Sequence, residues 1–156
     1  MDATHFLKRE HNAIKRRLVD LRRAGPRAYR KRRELLERIA ADLEVHARLE
    51  DELLYPAVAA LPDARHIVAE ARADHEAIRD VLTELDALDP ADTTFAAKTE
   101  EFREIVLGHI ADEEDDVFRL AQQLGVERLV QIGRELEARR PAVIAERDRA
   151  GRPTAA

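Results

Sequence analysis

Two short stretches of the chain share one spacing, a histidine followed four residues later by a glutamate. They are "HARLE", with His46 and Glu50, and "HIADE", with His109 and Glu113. On a helix this spacing stacks imidazole and carboxylate one turn apart on a single face, so both can reach one centre. Two more histidines, His11 and His75, stand alone. Nitrogen and oxygen donors without sulfur suit iron, manganese or zinc, and two carboxylates able to bridge favour two ions over one. The candidate metal ligands are therefore His11, His46, Glu50, His75, His109 and Glu113, and the expectation is a di-iron site.

Such a site needs elements that bring six residues to one level. Breaks at Gly25-Pro26, Leu61-Pro62-Asp63, "LDPADTT", Gly125 and Gly151 to Pro153 predict five helical segments, at about 3 to 24, 30 to 60, 64 to 88, 93 to 123 and 126 to 148. Four long helices with short connections imply an all-α, up-down-up-down four-helix bundle, with an additional C-terminal helix lying across it. The chain reads as a single domain over 1–150, followed by a flexible tail at 151–156. Pro56 and Pro141 are expected to kink or end their helices nearby.

Periodicity places the candidates in the core. One seam reads Leu36, Ile39, Leu43, His46, Glu50, Leu53, Ala57; the others run Val68, Ala71, His75, Ile78, Leu82, Leu85, then Phe102, Val106, His109, Glu113, and, at the start, Leu7, His11, Ile14, Leu18, Leu21. In antiparallel helices, residues at equal height have numbers that average to the turn between them. Residues 46 and 50, averaged with 75, bracket Leu61-Pro62, and 75 with 109 falls inside "LDPADTT". For 11 with 46 the turn must run a few residues past Gly25-Pro26. An unpaired carboxylate in such an interior is unfavourable by several kcal/mol, which calls for cations.

The order of these motifs resembles the hemerythrin-like, or HHE, domain family, in which a lone histidine, HxxxE, a second lone histidine and a second HxxxE occupy four successive helices. The matching stretches are "REH" at His11, "HARLEDELLYP", "ADHEAI" at His75 and "HIADEEDDVF", spanning about residues 5 to 120. The resemblance implies a four-helix bundle with a non-haem centre of two iron ions, oxo- or hydroxo-bridged and spanned by glutamates, that meets peroxide, oxygen or nitric oxide as its small-molecule ligand. Oxygen-carrying members have a fifth histidine one turn from the lone one on the third helix, where this chain has Ala71 and Arg79. Two octahedral irons offer about twelve positions, and the six residues with the bridge fill about ten. Exposed metal favours reaction over storage, so catalase-like disproportionation of hydrogen peroxide is the first expectation. A module that binds or senses iron, oxygen or nitric oxide without turnover is the alternative.

Composition narrows the classes. The net charge is -5, so the basic run "RAYRKRR" is read as a solvated helix start, and no nucleic-acid partner is expected. There is no cysteine, which excludes disulfides and thiolate sites. No apolar run approaches the roughly 18 residues of a membrane span, and the N-terminal "MDATHFLKREH" lacks a signal-peptide pattern. A soluble, cytoplasmic protein, monomer or homodimer, is expected. The 23 arginines against 4 lysines hint at a GC-rich, bacterial genome.

Among bystanders, His5 and His66 should face solvent, and Glu114 is a minor rival to Glu113. Glu44, Asp74 and Glu76 should point away, although one could orient an imidazole through its second nitrogen. Tyr55 lies about 140° round an ideal helix from Glu50, so Leu54 is expected to wall the pocket and Tyr55 to serve as packing. The fifth helix, with Leu129, Leu136 and Val143 in its apolar stripe, should be a brace or a dimer contact.

Overall fold

The computed structural model describes residues 1–151, so the expected tail lies outside the described residues apart from Gly151. Its elements are α1 (Ala3–Arg23), α2 (Tyr29–Leu49), α3 (Tyr55–Ala59), α4 (Arg65–Asp86), α5 (Thr93–Asp112), α6 (Phe118–Ala121) and α7 (Val126–Ala150). Wide π-helical turns at Glu50–Leu54 and Glu113–Val117 join α2 to α3 and α5 to α6, so the chain forms five helical rods with no strand among the described residues. Asp2 caps α1 by accepting from the His5 amide (3.0 Å), and Asp92 caps α5 through the Thr94 amide (3.0 Å). The first connection runs on to Ala28, past Gly25-Pro26.

The four rods form the bundle. Rod α1 packs on α2, α4 packs on α5, and α7 lies against α1 and α2, as a brace would. Gly133 of α7 sits against the chain start. A Cβ there would overlap the Met1 carbonyl oxygen, so only glycine lets the two backbones approach this closely. Rod α7 continues past Pro141 to Ala150. Leu136 and Val143, fully buried on either side, anchor it there through tertiary packing.

The apolar core is divided in two. Ile14, Leu18, Leu36, Ile39, Leu85 and Phe102 belong to one cluster, and Phe6, Leu49, Leu54, Val58, Val117 and Leu136 to the other. On each bundle helix the candidate ligand falls between them, as His11 does between Leu7 and Ile14. Burial of all six candidates therefore gives a polar layer across the bundle.

Each wide turn begins at the glutamate of an HxxxE. The Tyr55 amide donates to the Glu50 carbonyl and the Phe118 amide to that of Glu113, five residues back instead of four. The extra residue turns the following segment, so the core face passes through Leu54, Tyr55 and Val58 where an ideal helix would offer Leu53 and Ala57. On the other rod it passes through Val117, Phe118 and Ala121, leaving Leu120 partly exposed. Pro56 is accommodated just after the first wide turn; the second has Arg119 in that place, so proline is not what the two turns share.

Candidate metal centre

All six predicted residues converge. His11 Nε2 lies 2.9 Å from His46 Nε2, and His75 Nε2 lies 3.1 Å from His109 Nε2. The two glutamates stand between the pairs. Glu50 Oε1 is 2.7 Å from His46 Nε2, and Glu50 Oε2 is 3.1 Å from His75 Nε2. Glu113 Oε1 is 3.1 Å from His11 Nε2, and Glu113 Oε2 is 3.6 Å from His109 Nε2. Each carboxylate thus gives one oxygen to each pair, so two four-residue groups, His11–His46–Glu50–Glu113 and Glu50–His75–His109–Glu113, can each surround an ion.

The second nitrogens explain the ring orientations. His46 Nδ1 donates to Glu10 Oε1 (3.1 Å), His109 Nδ1 to Asp74 Oδ2 (3.1 Å) and His11 Nδ1 to Glu114 Oε1 (3.2 Å). A carboxylate only accepts, so these Nδ1 atoms carry the hydrogen and their Nε2 lone pairs turn inward. In the first pair two lone pairs then face each other at 2.9 Å. Glu50 Oε1 and Glu113 Oε1 are buried without a hydrogen-bond partner. Opposed lone pairs and orphaned carboxylate oxygens are unfavourable by themselves, and a cation relieves both; the donor set fits a metal.

Charge within the layer is strongly perturbed. With no cation in the layer the carboxylates draw a proton there instead: burial opposes the imidazolium of His46, but Glu50, Glu10 and Glu113 outweigh it and raise its pKa well above the ordinary value. Burial likewise opposes ionised Glu113, yet contacts with Glu50, His11 and His46 and the charge of His109 hold it well below the usual carboxylate range.

Tyr55 is where the sequence reading fails. Its hydroxyl, with one proton to give, lies within hydrogen-bonding reach of both Glu50 Oε2 (3.0 Å) and Glu113 Oε2, and 3.3 Å from His75 Nε2. It is part of the site. Leu54, expected to wall the pocket, is instead buried in the apolar cluster beside the layer. The wide turn is the cause, since it brings the fifth residue after Glu50 onto the face that an ideal helix gives to the fourth. Burial and the two neighbouring carboxylates raise the phenol pKa far above its ordinary value, so it stays protonated. A signal existed, because "HARLEDELLY" and "HIADEEDDVF" both place an aromatic five residues after the glutamate. Phe118, the counterpart of Tyr55, stacks on His11 with ring centroids 5.7 Å apart.

Other predicted bystanders behave as expected. His5 and His66 are exposed, Glu44 pairs with Arg147 and Glu76 with Arg79. Asp74 is the neighbour that orients a ring, and Glu114 does the same, so it holds His11 in place where it was weighed as a rival ligand. Glu10 was missed; it also accepts from Arg140 of α7 (2.8 Å).

Two cavities reach the layer. One of about 670 Å³ opens between α2 and α4, past Leu36, Leu43, Ile78 and Leu82, and touches all four histidines. A smaller one of about 240 Å³ lies between α4 and α5 and ends at His109 and Glu113.

The model of the hemerythrin HHE cation-binding domain matches residues 2–121. The chain belongs to this family. Among solved structures, a hemerythrin HHE cation-binding domain-containing protein from Mycobacterium kansasii shares the fold, with a TM-score of 0.84 at 24% identity, covering 94% of this chain and 89% of that one. No curated protein matches the chain. As an HHE domain with a buried cluster of histidines and glutamates, it has a centre compatible with metal binding, and no helix among its described residues is long and apolar enough to cross a membrane.

Proposed function

We propose that the chain holds two iron ions, oxo- or hydroxo-bridged, and disproportionates hydrogen peroxide. His11 and His46 would hold one ion and His75 and His109 the other, with Glu50 and Glu113 spanning both. The observation that carries this reading is the division of the carboxylates, each with Oε1 in one histidine pair and Oε2 in the other. Bound there, iron supplies two-electron redox chemistry with open positions for an oxygen ligand.

The chain's own residues do the remaining work. The α2–α4 cavity, with Leu36, Leu43, Ile78 and Leu82 in its walls beside charged residues such as Glu44, Arg79 and Arg147, admits a small uncharged molecule. Glu10, Glu114 and Asp74 fix three of the four rings, which keeps their lone pairs aimed at the centre. Tyr55 keeps its proton at Oη, beside both Oε2 atoms, where it can donate to a peroxide oxygen. Residues 1–150 act as one cytoplasmic domain, as a monomer or homodimer.

A second reading, a module that senses iron, oxygen or nitric oxide, is favoured by one contact. Glu10 links His46 to Arg140, and so links the centre to the one rod outside the bundle. Anaerobically iron-loaded protein, given peroxide in an oxygen-electrode cell, separates the two. Sustained oxygen release supports the enzyme; a spectral change with less than one turnover supports the module.

A further inference from the structure

Three of the four imidazoles in the layer have a carboxylate on their second nitrogen, and His75 does not. Its Nδ1 is buried without a hydrogen-bond partner. The repeat in the chain shows which group is missing. Glu114, directly after Glu113, accepts from His11 Nδ1 at 3.2 Å. Asp51, directly after Glu50, is its counterpart, and both acids lie in the first turn of a π-helical segment. The inner contacts also correspond, since Glu50 Oε2 to His75 Nε2 and Glu113 Oε1 to His11 Nε2 are both 3.1 Å. Yet Asp51 Oδ1 meets Arg72 Nε at 3.4 Å. Arg72 stands three residues before His75, on the same face of α4. Its guanidinium lies over the Tyr55 ring, 5.6 Å from the centroid, and that ring stacks on His75. A competing cation is therefore placed close to the orphaned imidazole. In the first half the same position is Lys8, which is exposed, and Glu114 goes to the ring.

We propose that Asp51 is the positioning residue for His75, and that it leaves Arg72 for His75 Nδ1 when an ion fills the second half. The inference rests on the metal reading and adds a moving part to it. An ion on Nε2 fixes the ring hydrogen on Nδ1 and draws electrons from the ring, so a buried N–H without an acceptor becomes more unfavourable than before. The contact that Asp51 gives up is weak. It is 3.4 Å long, between side chains 49% and 35% exposed, and water can replace the carboxylate on Arg72. The hydrogen bond that it gains joins a carboxylate to a metal-bound imidazole away from solvent, where such bonds are strong. Asp51 thus does for His75 what Glu114 does for His11, but only in the loaded chain. Release of Arg72, itself half-exposed, carries the occupancy of the second ion position to the surface.

The test joins a crystal structure of the full chain loaded with cobalt(II) to titrations of metal-free variants with the same ion, followed by d–d absorption. In the loaded structure Asp51 should lie about as near His75 Nδ1 as Glu114 lies to His11 Nδ1, 3.2 Å, and no longer on Arg72. Asp51→Ala should weaken the second of two binding phases about tenfold, and Asp51→Glu, with the longer acid of the first half, should recover it. Arg72→Gln removes the competitor and should bind at least as tightly as the parent. Asp116→Asn takes away the same charge beside the cavity that ends at His109, without serving His75, and should bind as the parent does. Asp51 still on Arg72 with both ions bound would overturn the proposal. So would equal weakening by Asp51→Ala and Asp116→Asn, which charge alone would cause, or weaker binding by Arg72→Gln, which would make the pair a simple brace. A parent that takes up no cobalt would overturn the metal reading and this inference with it, whereas uptake with Asp51 unmoved removes the inference alone.

Discussion

The two histidine pairs are built by the same device and finished differently. In each half a lone histidine is preceded by an acid, Glu10 before His11 and Asp74 before His75, and that acid orients the HxxxE histidine of the next rod. In each, a wide turn begins at the glutamate and delivers an aromatic five residues on. Yet the first half has both rings tethered and an apolar Phe118 stacked on His11. The second has Tyr55 reaching both Oε2 atoms, and His75 Nδ1 is buried without a partner. Asp51, which corresponds to Glu114, turns instead to Arg72 (3.4 Å). The contrast teaches that near copies of one backbone can hold one half's rings on both sides and leave the other with a free imidazole nitrogen and a phenol proton at the carboxylates.

The largest effect should come from removing what the halves share. Glu50→Ala or Glu113→Ala takes an oxygen from both ion positions, so iron content should fall from about two per chain to none, whereas His75→Ala should retain the ion of the first half. The iron-dependent gain in thermal stability, about 3–4 kcal/mol at ligand concentrations of 100 to 1,000 times Kd, should vanish for the glutamate variants. His5→Ala and His66→Ala should alter neither metal content nor melting. A glutamate variant that kept one tightly bound iron would break the idea of shared carboxylates.

Next in size is the difference between the aromatics. Tyr55→Phe makes the second half resemble the first, and should keep both irons while lowering peroxide turnover about 100-fold, the scale of one positioned proton donor. Phe118→Leu should lower turnover far less. Equal losses in the two variants would mean that Tyr55 acts only by filling space. Smaller still is the effect of the ring tethers: Glu114→Gln should weaken iron binding about tenfold in the first half alone, measured as a shift in one of two phases of a metal titration.

The smallest effect lies outside the layer, where Glu146 joins Arg139 and Arg48 and ties α7 to α2. Its hydrogen bonds to those arginines push its carboxyl down to about 2 from an ordinary 4.5. A depressed pKa contributes stability that is complete above the ordinary value and is lost as pH falls towards the folded one. Glu146→Gln should therefore melt slightly below the parent at pH 7, and the gap should close between pH 4.5 and 2.

Much of this was legible in the sequence because helices report burial through period. The steps of three and four that run through His46, His75 and His109 fixed the rods, the level and the six converging side chains. What escaped was set by departures from that period. An ideal helix puts Tyr55 on the wrong face, and only the wide turn after Glu50 brings it in. Glu10 escaped because its partners, His46 and Arg140, lie far away in sequence. Pro141 is carried inside α7 because local propensity yields to packing when Leu136 and Val143 are both buried.

The central claim, two ions sharing two carboxylates, is tested most directly by anaerobic titration of the metal-free chain with iron(II), followed by metal analysis after gel filtration. The account predicts saturation at two irons per chain in the parent, one in His75→Ala and none in Glu50→Ala. Saturation of the parent at a single iron, with Glu50→Ala still binding it, would contradict the account.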